Sequence, residues 1–168
     1  MDANKTLILL DVDGVLNPLR SMQKLVVDPS RAALVGQLSS LGVVVWATSW
    51  SAAHTYHLTH DLGLPFETAA IPFPPDLHID PRNPAPTPKL HWVARWVNRT
   101  LSQEDAPDTA VIWIDDQLRE NAGEWARNET RPTLLIKPDP ATGLSEAHLA
   151  EAREFLLGLQ YQDRIQPE

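Results

Sequence analysis

Two short apolar runs, each ending abruptly in aspartate, constrain this chain more than any other feature of its sequence. Thr6 to Leu10 runs into Asp11 and Asp13, and Thr109 to Ile114 runs into Asp115 and Asp116. An apolar run of this length, without polar alternation, is the pattern of a strand covered on both faces, as in a parallel sheet. Val43 to Trp46 is a third such run, ending in Ala47, Thr48 and Ser49, and Thr133 to Ile136 is a fourth. Glu67 to Phe73 predicts a further, weaker strand between them.

Helical spacing fills the intervals. Pro29 to Leu41 repeats apolar residues at Ala33, Leu34, Leu38 and Leu41, with Asp28 placed to cap it and Gly42 to end it. Ser51 to Leu62 is stopped by Gly63, Lys89 to Leu101 aligns Leu90, Val93, Ala94, Val97 and Leu101, and Ser145 to Leu159 aligns Leu149, Ala152, Phe155, Leu156 and Leu159. Strands alternating with helices predict an α/β fold: a three-layer α/β/α sandwich on a Rossmann-like, mainly parallel five-stranded sheet with right-handed crossovers. A length of 168 residues with 43% hydrophobic residues suits a single domain over residues 1–168. The proline-dense stretch from Pro74 to Pro88 supports neither a helix nor a central strand and reads as a surface loop.

Charge and composition narrow the chemistry. Lysine and arginine total 14 against 22 aspartates and glutamates, a net charge of -8, which argues against broad nucleic-acid coating. The absence of cysteine excludes disulfides, thiolate metal sites and a cysteine nucleophile, so any metal must take oxygen or histidine ligands. The apolar run Leu7 to Leu10 is too short for a signal peptide or a membrane span, and the expected location is cytoplasmic, with no membrane partner.

In open parallel sheets ligands bind beyond the carboxyl ends of the strands, and Asp11, Asp13, Thr48, Asp115 and Asp116 all fall there. A carboxylate can attack phosphorus and so divide one difficult hydrolysis into two displacements, which makes Asp11 the candidate nucleophile. Asp13, one residue on, is the candidate general acid and base. Two carboxylates beside a phosphate dianion repel it unless a cation lies between them, and Mg2+, a hard ion preferring oxygen, meets that need with Asp115 and Asp116 as further ligands. Thr48, where a strand meets a helix N-terminus, and Lys89, opening a helix after Pro88, are candidate donors to the charge that spreads over the phosphoryl oxygens.

DVDGVLN at 11–17, VVVWATSW at 43–50, Lys89 and VIWIDD at 111–116 resemble the four ordered motifs of the haloacid dehalogenase (HAD) superfamily. The resemblance covers roughly residues 6–137. It implies a magnesium-dependent phosphohydrolase with a phosphoaspartate intermediate, its metal held by Asp11, the backbone carbonyl of Asp13 and Asp115, with Asp116 in support. Receiver domains use a similar aspartate, threonine and lysine set, but in them the acidic pair comes first and the lysine last.

Two features depart from that pattern. Thr48 and Ser49 are adjacent, so either hydroxyl can meet the phosphate, with Thr48 favoured because it ends the apolar run. The intervals from Asn17 to Val43 and from Trp50 to Lys89 are short, which implies a capless, open site with the proline-rich loop 74–88 in place of a cap domain. Ser49, Trp50 and Asn17 are the candidate substrate-binding residues, Trp50 by stacking on a base or ring. Lys137 is the nearest rival to Lys89, and His54, His57 and His60 read as solvated helix histidines rather than metal ligands.

The expected partner is a phosphorylated substrate, either a small molecule or an exposed phosphorylated end. The alternatives to simple hydrolysis are phosphoryl transfer to another acceptor, end-processing of nucleic acid, and a non-catalytic binding module on the same fold. Composition says nothing of the oligomeric state.

Overall fold

A computed structural model describes residues 6–18, 28–75, 77, 86–101 and 109–165. Among them the chain runs β1 (Thr6–Leu10), α1 (Pro29–Ser39), β2 (Val43–Trp46), α2 (Ala52–Asp61), α3 (Leu90–Thr100), β3 (Ala110–Ile114), α4 (Glu120–Asn128), β4 (Thr133–Ile136) and α5 (Glu146–Ile165). The sheet is parallel throughout, in the order β2-β1-β3-β4.

The expected fifth strand is reduced to an isolated bridge between Trp46 and Ala70, so the sheet has four strands among the described residues. Trp46 N donates to Ala69 O at 2.9 Å and Ile71 N to Trp46 O at 2.8 Å, and the pairing goes no further. The sequence also gave no warning of α4. Ala122 is its one fully buried residue among those described, with Trp125 half-buried against Trp113 beside it, a pair too short to register as a helical repeat. Parallel neighbours require a crossover, however, and α4 is the crossover from β3 to β4.

Alternate residues of the buried strands feed two cores. Ile8, Leu10, Val44, Trp46, Ile112, Ile114 and Ile136 pack with residues of α1, α2 and α5. Leu7, Leu9, Val45, Val111 and Trp113 pack with residues of α3 and α4 on the other face. Burial on both sides explains why β1 and β3 are apolar at every position. In α1 the buried residues are Leu34, Val35 and Leu38, whereas Ala33, expected in the stripe, is exposed. Asp28 caps that helix as expected, accepting from Ser30 N at 2.8 Å. Among the described residues no helix is long and apolar enough to cross a membrane.

The strand order creates a switch point. From β1 the chain moves to β2 on one side, then crosses to β3 on the other, leaving a crevice between the carboxyl ends of β1 and β3. Leu10 is in register with Ile114, so Asp11 and Asp115 emerge side by side into that crevice.

Candidate active site

Backbone hydrogen bonds extend the ladder one step past the strands and fix both aspartates. Asp11 N donates to Ile114 O at 3.0 Å and Asp115 N to Ile136 O at 3.2 Å. Beyond Asp13 the chain turns sharply: the amides of Val15, Leu16 and Asn17 converge on Val12 O. Gly14 makes this turn with φ +72°, and a Cβ there would overlap the Asp116 carboxyl. The glycine after the first aspartate pair is therefore needed for its backbone conformation and for the room it leaves to the second pair.

Carboxylate oxygens of Asp11, Asp115 and Asp116 can lie within 4.8 Å of one another, and all three residues are buried. Lys89 enters the same space with 1% of its surface exposed. Its Nζ lies 2.6 Å from Asp11 Oδ2 and 3.0 Å from Asp115 Oδ2. Burial pushes the Asp11 carboxyl up to about 7 despite the opposing pull of Lys89, and Asp115 adds to the rise. Asp116 is also raised, chiefly by burial and then by Asp115. Burial alone would lower Lys89, but Asp11 and Asp115 outweigh it and hold the ammonium well above the ordinary lysine value. Lys137, the rival lysine, is exposed.

One ammonium cannot neutralise three buried carboxylates, so the group is left with a surplus of negative charge. Hard, closely spaced oxygen donors with that surplus fit a small divalent cation such as Mg2+.

Asp13 stands apart from the three grouped carboxylates. Its Oδ2 accepts from Trp50 Nε1 at 2.8 Å and its Oδ1 from Asn17 Nδ2 at 3.0 Å. Trp50 and Asn17 thus grip the Asp13 carboxylate from both sides, a relationship across 37 residues for Trp50 that sequence spacing does not reveal. Thr48 is buried and Ser49 exposed. Thr48 Oγ1 accepts from Trp50 N at 3.4 Å, and Ser51 caps α2 three residues after Thr48.

Thr87 is a positioning residue that the sequence did not single out. Its N and Oγ1 both donate to Asn121 Oδ1 at 2.9 Å, and its Oγ1 accepts from Arg119 N at 2.8 Å. The segment just before Lys89 is thereby tied to the start of α4. Gln117 N donates to Asp115 Oδ1 at 2.7 Å, and its side chain donates to Asp116 Oδ2. The chain stretch that follows β3 thus braces both acidic residues at that strand's end. Most of the proline-rich loop 74–88 lies outside the described residues.

Comparison with known proteins adds one likeness. The family described as the HAD domain in Swiss Army Knife RNA repair proteins matches residues 7–149. No curated protein and no solved structure gives a significant match to the chain.

Proposed function

The chain belongs to the family of HAD domains in Swiss Army Knife RNA repair proteins, and from that premise we propose that it is a magnesium-dependent phosphohydrolase acting on a phosphate monoester. The observation that carries this reading is Lys89, buried between Asp11 and Asp115 at 2.6 and 3.0 Å where β1 and β3 end together. A buried lysine shared by two carboxylates, with a third acid beside them, is costly for a fold to maintain and is of a kind that clusters at functional sites.

Asp11, Asp115 and Asp116 would hold the ion, with the Asp13 carbonyl as the resemblance implies, and Mg2+ would supply positive charge to offset theirs and that of the phosphate. Lys89 engages Asp11 Oδ2, which leaves Oδ1 to attack phosphorus. The new bond joins Asp11 to phosphorus as the bond to the ester oxygen breaks, and Asp13 gives that oxygen its proton. Asp13 then takes a proton from water, whose oxygen bonds to phosphorus and releases Asp11 and inorganic phosphate. Trp50 and Asn17 orient the Asp13 carboxylate for both transfers. Thr48, beside the start of α2, is the hydroxyl that meets the phosphoryl oxygens.

The family's description favours one substrate setting, a phosphorylated RNA end. Phosphate release should be measured with magnesium on an aryl phosphate and on oligoribonucleotides carrying 3′ or 5′ phosphates, with Asp11→Asn as control. Turnover that is magnesium-dependent and lost in Asp11→Asn is expected. Undiminished turnover in that variant would remove Asp11 from the mechanism. Magnesium and phosphate binding without turnover would leave a binding module instead.

A further inference from the structure

Beside the acidic group lies a cavity of about 620 Å3 between the start of α2 and the segment that follows the Trp46–Ala70 bridge. It shares Thr48 and Trp50 with the site, and its lining includes Ile71, Phe73 and Leu77. None of its described lining residues carries a charge, although the chain as a whole is strongly acidic. The hydroxyl-bearing Thr48 and Ser49 lie on the lining together with the aromatic rings.

We propose that this cavity seats the part of the leaving group next to the ester oxygen, and that this part is one nucleoside, such as the terminal nucleoside of an RNA end. The inference rests on the hydrolase reading above and adds the identity of the group on the far side of the ester oxygen. A charged group in that place, such as a sugar bearing a second phosphate or an acidic peptide, would find no countercharge among the described lining residues. A bare aliphatic alcohol would leave the aromatic surface of Trp50 and Phe73 unused. A nucleoside presents a flat ring system to stack on aromatic side chains and hydroxyls for polar edges, and the cavity falls within the volume range of ordinary small-ligand sites.

Trp50 gives the cavity a route to the chemistry. The indole that lines it also donates to Asp13 Oδ2 at 2.8 Å, so a base stacked on Trp50 would hold the donor that orients the acid/base.

The test compares adenosine 3′-monophosphate, adenosine 5′-monophosphate, phenyl phosphate and glycerol phosphate, in wild type and in Ala70→Phe. Ala70 is exposed on the cavity wall, and the backbone on either side of it is hydrogen-bonded to Trp46, so a larger side chain can fill the cavity without entering the core. At least one nucleotide should have the highest kcat/KM, and Ala70→Phe should raise its KM about tenfold relative to glycerol phosphate. Equal kcat/KM for glycerol phosphate and the nucleotides, or an equal effect of Ala70→Phe on all substrates, would overturn the proposal. Phenyl phosphate matching the nucleotides would overturn the nucleoside assignment. Calorimetry on Asp11→Asn with the same compounds keeps the two readings separable. Nucleotide binding weakened by Ala70→Phe, with no turnover in wild type, would support the cavity and refute the hydrolase; turnover indifferent to the leaving group would do the reverse.

Discussion

Lys89 Nζ lies 2.6 Å from Asp11 Oδ2, and the two side chains are 1% and 5% exposed. The contact joins the N-terminus of α3 to the end of β1 through the interior, with Asp115 as the third member at 3.0 Å from the same nitrogen. Desolvating a charge is expensive, and the Lys89 ammonium holds together buried carboxylates that would otherwise repel one another.

Removing the cation should therefore affect fold and chemistry at once. Lys89→Met keeps a similar volume but leaves the buried carboxylates without their partner, and should lower unfolding free energy by about 3–5 kcal/mol without added metal. Turnover should fall by about 10²-fold or more, as when a charge-stabilising donor is lost. Denaturant unfolding and single-turnover kinetics measure the two effects. A variant as stable and active as wild type would mean that Lys89 only fills space.

Acidity should act on stability in the direction opposite to the usual carboxylate. Burial pushes Asp11 up to about 7, above its unfolded value of about 4. Between these values the folded protein binds the proton more tightly, so stability falls as pH rises through that window, and the loss is complete above about 7. Asp116, raised as well, acts in the same direction. Asp11→Asn, which cannot ionise, should gain melting temperature over wild type at about pH 8 and lose that advantage toward pH 4. Magnesium should stabilise wild type more at the higher pH, because its ligands must be ionised to bind. Thermal melts across the range test this, and an advantage of Asp11→Asn that grew as pH fell would reverse the assignment.

Some of this architecture was legible in the residues and some was not. The strand ends were legible because a strand buried on both faces has no polar alternation, so the change to aspartate after Leu10 and Ile114 marks where backbone leaves the sheet. The order of motifs brought Asp11, Asp115, Asp116 and Lys89 forward as candidates, and they do lie together. The strand read into residues 67–73 proved a single bridge because alternation of residue types carries no information about how many amides can reach a partner. Helix α4 was illegible because it is short and meets the core mainly through Ala122 and the half-buried Trp125. Thr87 escaped notice because its value lies in bonds to Asn121 and Arg119, more than 30 residues away. Asp13 was read as the acid/base through its carboxylate and, by resemblance, as a metal ligand through its backbone carbonyl, but its carboxylate's bonds to Trp50 and Asn17 were not legible in the spacing.

That grip on Asp13 is open to a conservative test. Trp50→Phe keeps an aromatic ring in the cavity wall and removes the indole N–H from which Asp13 Oδ2 accepts, together with part of the ring system. Stability should change by about 1 kcal/mol or less, the net worth of one partly exposed hydrogen bond. kcat should drop by about tenfold with KM nearly constant, and the limb of the pH–rate profile belonging to the acid/base should move. An unchanged profile with raised KM would make Trp50 a substrate contact and nothing more.

The turn at Gly14 offers the sharpest separation of geometry from charge. Gly14→Ala adds no polar group, yet it forces a Cβ into a backbone with φ +72° and into the space occupied by the Asp116 carboxyl. The conformational strain alone should cost about 1 kcal/mol. Relief of the overlap requires Asp116 to move, which would also disturb the hydrogen bond it accepts from the Gln117 side chain. Magnesium affinity should then fall by about tenfold or more, the scale seen when groups supporting a metal site are displaced. Asp116→Asn would remove the charge while leaving the glycine its room. If calorimetry gave Gly14→Ala full magnesium affinity while Asp116→Asn lost it, Asp116 would be a ligand that needs no help from the turn, and the glycine would serve the backbone alone.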